Sequence, residues 1–157
     1  MRSPTIRVLT TALVLIHLAG NVWHGDAHTI LNISLPEWKE AYIAAVIVMA
    51  PLFGMGLLWT RFETVAAGIV GLSMVGSLLF SVYHHYVLIS IDNVDHLPAG
   101  TAEAHAYFSN SAGFIALSAL AAALAGFYCV GRLINHQTAG LAHSDTEAPD
   151  ATARPLK

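Results

Sequence analysis

Four long apolar segments, separated by short polar ones, organise the chain. They cover residues 6–23, 41–59, 65–89 and 106–134, and strong charges within them are confined to their ends. At about 1.5 Å per residue, a helix of this length crosses the ~30 Å hydrocarbon core of a bilayer. The pattern predicts an all-α integral membrane protein, a bundle of four transmembrane helices with short loops.

The bundle and the C-terminal segment differ in composition. Residues 1–135 contain all four apolar segments and are predicted to form one transmembrane domain. Residues 136–157 are polar, rich in Ala, Thr and Asp, and show no apolar periodicity. We expect this segment to be a disordered cytoplasmic tail. Pro51 is expected to disturb the second helix, because proline has no N–H to donate.

Positive charges indicate how the bundle is oriented. Six of the seven lysines and arginines fall at one end of it: Arg2, Arg7, Arg61, Arg132, Arg154 and Lys157. Lys39 alone lies at the other end. The positive-inside rule therefore predicts a multi-pass protein of the cell (inner or plasma) membrane, with both termini cytoplasmic and two exoplasmic loops.

Composition excludes several classes of function. The chain is 55% hydrophobic and only 11% charged, whereas soluble domains average roughly 25% charged residues. The net charge is −3 and no basic patch exists, so nucleic acid is not an expected partner. The bilayer is the expected partner, and a membrane subunit or a second copy of the chain remains open. A lone cysteine, Cys129, excludes an internal disulfide and a cysteine-based zinc site.

The N-terminus permits a second interpretation. Two arginines followed by an apolar run also describe a signal peptide, with residues 25–27 as a small-x-small cleavage site. The apolar run is long for such a peptide, so we favour a first membrane helix and leave cleavage of residues 1–27 as the alternative.

The first helix carries a polar stripe. His17, Asn21, His24 and His28 follow the spacing i, i+4, i+7, i+11, and at about 100° per residue they fall within about 60° of one another. The stripe requires the helix to continue through Gly25. Histidines at i and i+4 can share one metal ion.

The third helix carries a matching stripe of Ser73, Ser77, Ser81 and His84, with His85 at its edge. Small and hydroxyl side chains favour contacts between membrane helices, so we expect the two stripes to face each other. The fourth helix adds His105 and, one turn deeper, Ser109. The predicted metal ligands, not all of which one ion needs, are His24, His28, His84, His85, Asp92, His96 and His105.

Imidazole and carboxylate without thiolate suit copper, iron or zinc. Asp92 and His96 are further ligands or groups that orient an imidazole, and Asp92 alternatively caps a turn. The Asp92-xxx-His96 pattern followed by His105 is similar to copper ligands in one subunit of membrane copper monooxygenases, although the spacing to the second histidine is shorter here. That resemblance implies copper.

Two other functions remain open at this stage. Four-helix membrane cytochromes hold haem b between histidines of facing helices, and His17, with Asn21 beside it, is placed to pair with His84 or His85. A non-catalytic structural or proton-relay subunit is the second alternative. No established catalytic motif is present in the sequence, so it leaves open whether the protein is an enzyme.

Overall fold

The computed structural model describes residues 4–146, and this part of the chain is helical with no strand. Helix α1 is Pro4–Ile30, α2 is Glu37–Leu57, α3 is Glu63–Val87 and α4 is Ala102–Thr146. All four are long and apolar enough to cross a membrane, α4 within its segment Ala102–Asn135. The prediction of an all-helical chain with four such helices is confirmed.

Helix α1 continues through Gly25, as the polar stripe requires. It ends where Asn32 takes a left-handed conformation, with φ of 53°, which asparagine tolerates better than most residues. The N–H of Ile33 then donates to the carbonyl of His28 at 2.9 Å. This cap fixes the last turn of α1, so the helix extends beyond the predicted end at residue 23 and carries His24 and His28 on rigid backbone.

Two helices contain π-helical turns, in which the hydrogen bonds run from residue i+5 to residue i. In α2 the π-helical segment is Ile43–Met49 and ends two residues before Pro51, so the helix departs from α-geometry close to its proline. In α3 the last turn, Tyr83–Val87, is π-helical. The helix ends there, two residues before the predicted boundary.

Helix α4 extends further than predicted at both ends. It begins at Ala102 and continues to Thr146, so part of the segment predicted to be a disordered tail is helical. The good helix formers Ala and Leu recur in that segment, and a helix already nucleated upstream needs only to propagate. The rest of the predicted tail, residues 147–157, lies outside the described residues.

Helix α4 packs along both α1 and α3, and α2 packs mainly on α3. Gly126 of α4 approaches α3 so closely that a Cβ there would lie 2.8 Å from the backbone nitrogen of Gly71. Small residues permit this close approach of two backbones, as membrane helices prefer. The outward faces are apolar, with Leu72, Leu117 and Val22 each at least two-thirds exposed.

The two ends of the bundle differ in chemistry. At one end Arg7 pairs with the buried Glu63. At the other end α1 and α3 finish, α2 and α4 begin, and the loops of residues 31–36 and 88–101 cross over them. We call this second end the histidine end, because the candidate ligands lie there.

Candidate metal centre

Four side chains that can bind metal converge at the histidine end, and all four are buried. They are His24 and His28 of α1, His85 of α3 and Asp92 of the loop that follows α3. One ligand atom of each lies within 4.8 Å of the ligand atoms of the other three. The stripes of α1 and α3 therefore face each other, as predicted. We call these four residues the His3Asp cluster.

The tautomer of His24 is set by Ser111. Ser111 donates its only hydroxyl hydrogen to the carbonyl of Phe108 at 2.8 Å, and its Oγ lies 2.9 Å from Nδ1 of His24. Because the hydroxyl hydrogen is already used, Nδ1 of His24 must be the donor in this second bond. In the neutral ring, Nε2 of His24 therefore carries a lone pair.

The tautomer of His85 is set by the loop. Its Nδ1 lies 2.8 Å from the backbone carbonyl of Asp92, and a carbonyl can only accept. Nδ1 of His85 is therefore protonated, and Nε2 carries the lone pair. The Nε2 atoms of His24 and His85 lie 3.1 Å apart. With both rings neutral, this contact brings two lone pairs together without a proton between them.

His28 completes the imidazole group. Its Nε2 lies 3.1 Å from Nε2 of His24 and 3.2 Å from Oδ1 of Asp92. Its Nδ1 is buried and has no hydrogen-bond partner among the described residues. One proton on Nε2 can satisfy His24 or Asp92 but not both, and it leaves Nε2 of His85 without a donor. With all three rings neutral, their protons cannot satisfy the cluster.

Asp92 reaches the cluster because its loop folds back onto α3. The N–H of Val94 donates to the carbonyl of His85 at 3.0 Å. Oδ2 of Asp92 accepts from the ammonium of Lys39 at 3.1 Å, while Oδ1 is buried and lacks a partner of hydrogen-bond geometry in the described part of the chain. Burial raises the pKa of the Asp92 carboxyl, but the adjacent His28 and His85 imidazoles lower it by more. This pKa therefore lies well below its ordinary value, and the carboxylate is ionised.

Three of the six distances among these four ligand atoms fit a small metal ion, and all four atoms lie within 4.8 Å of one another. Zinc lies about 2.0–2.1 Å from histidine nitrogens, so two ligands on a tetrahedral ion are roughly 3.3 Å apart. The two Nε2–Nε2 distances of 3.1 Å, and the 3.2 Å from His28 to Oδ1 of Asp92, lie within a few tenths of an ångström of that value. One ion would take up the lone pairs that protons cannot match.

Groups around the cluster hold its ligands in place. Ser111 and the Asp92 carbonyl each orient one imidazole, as outer partners of metal-bound histidines commonly do. The fully buried ring of Phe108 packs against the His24, His28 and His85 rings, with centroids 4.8, 5.2 and 5.6 Å away. A cavity of about 30 Å³ adjoins the cluster on the side of Ser81, whose buried Oγ has no partner among the described residues.

Sequence reasoning missed three of these supporting residues: Lys39, Phe108 and Ser111. Lys39 enters the sequence prediction only through its charge. It gave a signal, because it was the sole cation at the histidine end and a buried carboxylate needs such a partner. Phe108 and Ser111 looked like any other residues of an apolar helix. The serine of α4 that meets the cluster is Ser111, two positions beyond Ser109, the serine predicted from the sequence.

The structure places three predicted ligands outside the His3Asp cluster. The His84 ring packs against Trp38 of α2 and against Phe80 and Tyr83 of its own helix. His105 is bonded through Nε2 to the carbonyl of Pro98 at 2.9 Å. His96 is exposed, and its Nδ1 lies 3.3 Å from Oδ1 of Asn93. The pattern similar to the copper monooxygenase ligands is therefore not assembled here, because Asp92 is grouped with histidines of the helices.

His17, the residue proposed for haem, is fully buried and engaged on both nitrogens. Ser118 gives its hydrogen to the carbonyl of Ile115, so Nδ1 of His17 donates to Ser118 Oγ at 2.9 Å. Nε2 of His17 accepts from Ser77 and Asn21, each at 3.0 Å. A ring satisfied in this way offers no lone pair to a haem iron, and His17 with Asn21 serves to join α1, α3 and α4.

Comparisons with known proteins add no family to this picture. No protein-family profile, no curated protein and no solved structure matches the chain.

Proposed function

We propose that the chain spans the cell membrane through its four helices, with both termini cytoplasmic and the histidine end at the exoplasmic face. The exposed apolar side chains on the outward faces support insertion, since water would penalise them and lipid would not. The distribution of lysines and arginines along the sequence supports the orientation. The bilayer is then the principal partner, and association with a membrane subunit or a second copy stays a prediction.

The function proposed for the histidine end is the binding of one transition metal ion by His24, His28, His85 and Asp92. A single observation carries this proposal: hydrogen bonds to Ser111 and to the Asp92 carbonyl leave two Nε2 lone pairs facing each other at 3.1 Å. Imidazole nitrogen with one carboxylate oxygen is a donor set for zinc, iron or copper. Calcium is disfavoured because it requires oxygen ligands.

Chemistry at this ion is a second, more specific proposal. A bound ion would supply Lewis acidity able to activate water or oxygen against a lipophilic substrate. The cavity of about 30 Å³ beside the cluster supports it, because a cavity of about 10–15 Å³ is already enough to hold one water molecule. Ser81 and Asn21, which line it, are placed to bind such a molecule and to orient it toward His24 and His85.

Elemental analysis of untagged protein in mild detergent tests the metal proposal. We expect close to one equivalent of zinc, iron or copper in the native protein and its loss in His24→Ala and His85→Ala. His105→Ala is the matched control, since its ring lies outside the cluster, and it should retain the metal. A visible spectrum recorded on the same samples distinguishes the haem alternative.

Three results would contradict the proposed metal ion or its ligands. Metal retained by His85→Ala would contradict the assigned ligands. A Soret band would replace the ion with haem. Metal absent from native protein, even after reconstitution with zinc, iron and copper in turn, would reject the proposal and leave a proton-relay or structural role.

A further inference from the structure

A second, larger cavity lies between α1 and α2 and shares a wall with the His3Asp cluster. Its volume is about 590 Å³, within the roughly 300–1,000 Å³ of small-molecule sites. His24 and His28 both line it. The apolar lining residues are Leu18, Val22, Ile33, Leu35, Ile43, Val48 and Leu52.

The cavity is polar at one end and apolar at the other. Ser34 and Glu40 lie with the two histidines at the histidine end, and Asn21 lies one turn deeper on α1. Leu18, Val48 and Leu52 lie deeper still along the helices. From Glu40 to Leu52 is roughly 18 Å along α2, at about 1.5 Å per residue. The shape and lining match a molecule with one polar head and one extended hydrocarbon tail.

Access to this cavity is lateral. Along most of its length α2 packs on α3, and its main contact with α1 is made by the segment Ala50–Leu57 at the far end. Val22 and Gly25, both exposed, lie at the rim. A ligand that already resides among the apolar outward faces of the helices can therefore enter between α1 and α2.

The charges at the polar end favour an uncharged head group. No lysine or arginine lines the cavity within the part of the chain described, and the nearby Lys39 is already paired with Asp92. The Glu40 carboxylate at the rim would repel a carboxylate or phosphate. A hydroxyl or carbonyl oxygen, by contrast, is a suitable ligand for the ion held by His24 and His28.

We propose that the cavity between α1 and α2 binds a neutral single-chain lipid, a long-chain alcohol or aldehyde, with its oxygen directed at the His3Asp cluster. The direction assigned to the lipid oxygen rests on the proposed metal function, whereas the binding of the hydrocarbon chain does not. Gly25 has a specific part in it: nothing lies within 4 Å of the position of a Cβ there. Gly25 follows the ligand His24 and lines the cavity, so a larger side chain at this position would occupy part of the cavity.

The test uses a diazirine analogue of 1-hexadecanol, photolysed with native protein in nanodiscs, followed by mass spectrometry of the labelled peptides. Labelling is expected at residues 18–25 and 43–52. Excess 1-hexadecanol should compete, whereas palmitate and the phosphatidylcholine of the nanodisc should not. Gly25→Leu should lower this labelling roughly tenfold, equivalent to about 1.4 kcal/mol of affinity.

Gly131→Leu is the matched control, because Gly131 lies in α4, away from the cavity, and nothing lies within 4 Å of a Cβ there either. It should label as native protein does. Labelling spread over the outward faces, or unchanged by Gly25→Leu, would overturn the proposal, and so would competition by palmitate or phosphatidylcholine.

Metal content measured on the same samples separates the two proposals. Gly25→Leu that keeps its metal but loses labelling supports the cavity assignment. Native protein that labels at the cavity but contains no metal would refute the metal centre and the direction assigned to the lipid oxygen. Native protein that contains metal but does not label at the cavity would refute the lipid site alone.

Discussion

The ammonium of Lys39 lies 3.1 Å from Oδ2 of Asp92, and both side chains are buried. This ion pair joins the first turn of α2 to the loop that follows α3. It also leaves Oδ1 of Asp92 directed toward His28 and His85. Lys39 therefore acts on the cluster through Asp92, as the group that compensates and positions the carboxylate.

Lys39→Met should strongly destabilise metal-free protein. It leaves the Asp92 carboxylate buried without its cation, and breaking a buried pair in this way costs about 3–5 kcal/mol. The free energy of unfolding in detergent, followed by SDS titration, measures the effect. Arg61→Met is the control, since it removes an exposed cation and should change stability by less than about 0.5 kcal/mol. Equal effects of the two substitutions would contradict a structural ion pair.

Ser111→Ala should weaken metal binding without removing a ligand. The substitution deletes the acceptor for Nδ1–H of His24, which fixes that ring and its tautomer, and loss of such an outer partner typically costs 10–100-fold in metal affinity. Competition titration with a chromophoric chelator measures the dissociation constant. Ser109→Ala is the matched control on the same helix, since the Ser109 side chain forms no hydrogen bond with any residue that the structure describes. Unchanged affinity in Ser111→Ala would mean that His24 is not held through Ser111.

The helices and the facing stripes were predictable because each depends on local periodicity. Hydrophobic length defined α1 to α4, and the i, i+4, i+7, i+11 spacing placed His17, His24 and His28 on one buried face. The choice between His84 and His85 was not predictable in this way. A regular α-helix would align His84 with Ser77 and Ser81. His85, at i+4 from Ser81, lies on the same face too, so periodicity does not separate the two histidines. In the structure His85 joins the cluster and His84 packs against Trp38.

The remaining site residues depend on contacts between segments distant in sequence. Asp92 belongs to the cluster only because the loop folds back through Val94 and His85. Lys39 meets it from a different helix, 53 positions away. The same sequence pattern was consistent with Asp92 as a turn cap or as a partner of His96. Only the tertiary arrangement decides among these, because the position of the loop is not set by local periodicity.

Removing the metal should lower the stability of native protein. A ligand that binds only the folded state stabilises it by about 2.7 kcal/mol when its free concentration is 100 times the dissociation constant. We expect the thermal unfolding midpoint in detergent to fall on treatment with a strong chelator and to return when the metal is restored. In His85→Ala, chelator and metal should both have no effect. A shift of equal size in that variant would assign the stabilisation to another site.

Gly126→Val should disrupt the packing of α3 against α4. The added Cβ would lie 2.8 Å from the nitrogen and 2.9 Å from Cα of Gly71, and backbone cannot move aside as a flexible side chain can. Overpacking of this kind costs about 1–3 kcal/mol, which SDS titration will resolve. Gly131→Val introduces the same side chain into the same helix where nothing lies within 4 Å. A similar loss of stability in both variants would indicate that the helix propensity of valine, not the close approach of α3 and α4, is responsible.

The proposed orientation predicts which loops a membrane-impermeant maleimide can label in intact cells. The native thiol, Cys129, is buried and is replaced by alanine to provide a background without cysteine. In that background Asp95→Cys, an exposed position at the histidine end, should be labelled in intact cells.

Thr60→Cys provides the comparison, because Thr60 is equally exposed but lies in the loop between α2 and α3 at the opposite end. It should be labelled only after the cells are permeabilised. The reverse pattern would invert the bundle and place the His3Asp cluster at the cytoplasmic face. Labelling of both positions in intact cells would contradict a fixed four-helix topology, because the single crossing of α3 places these two loops on opposite faces of the membrane.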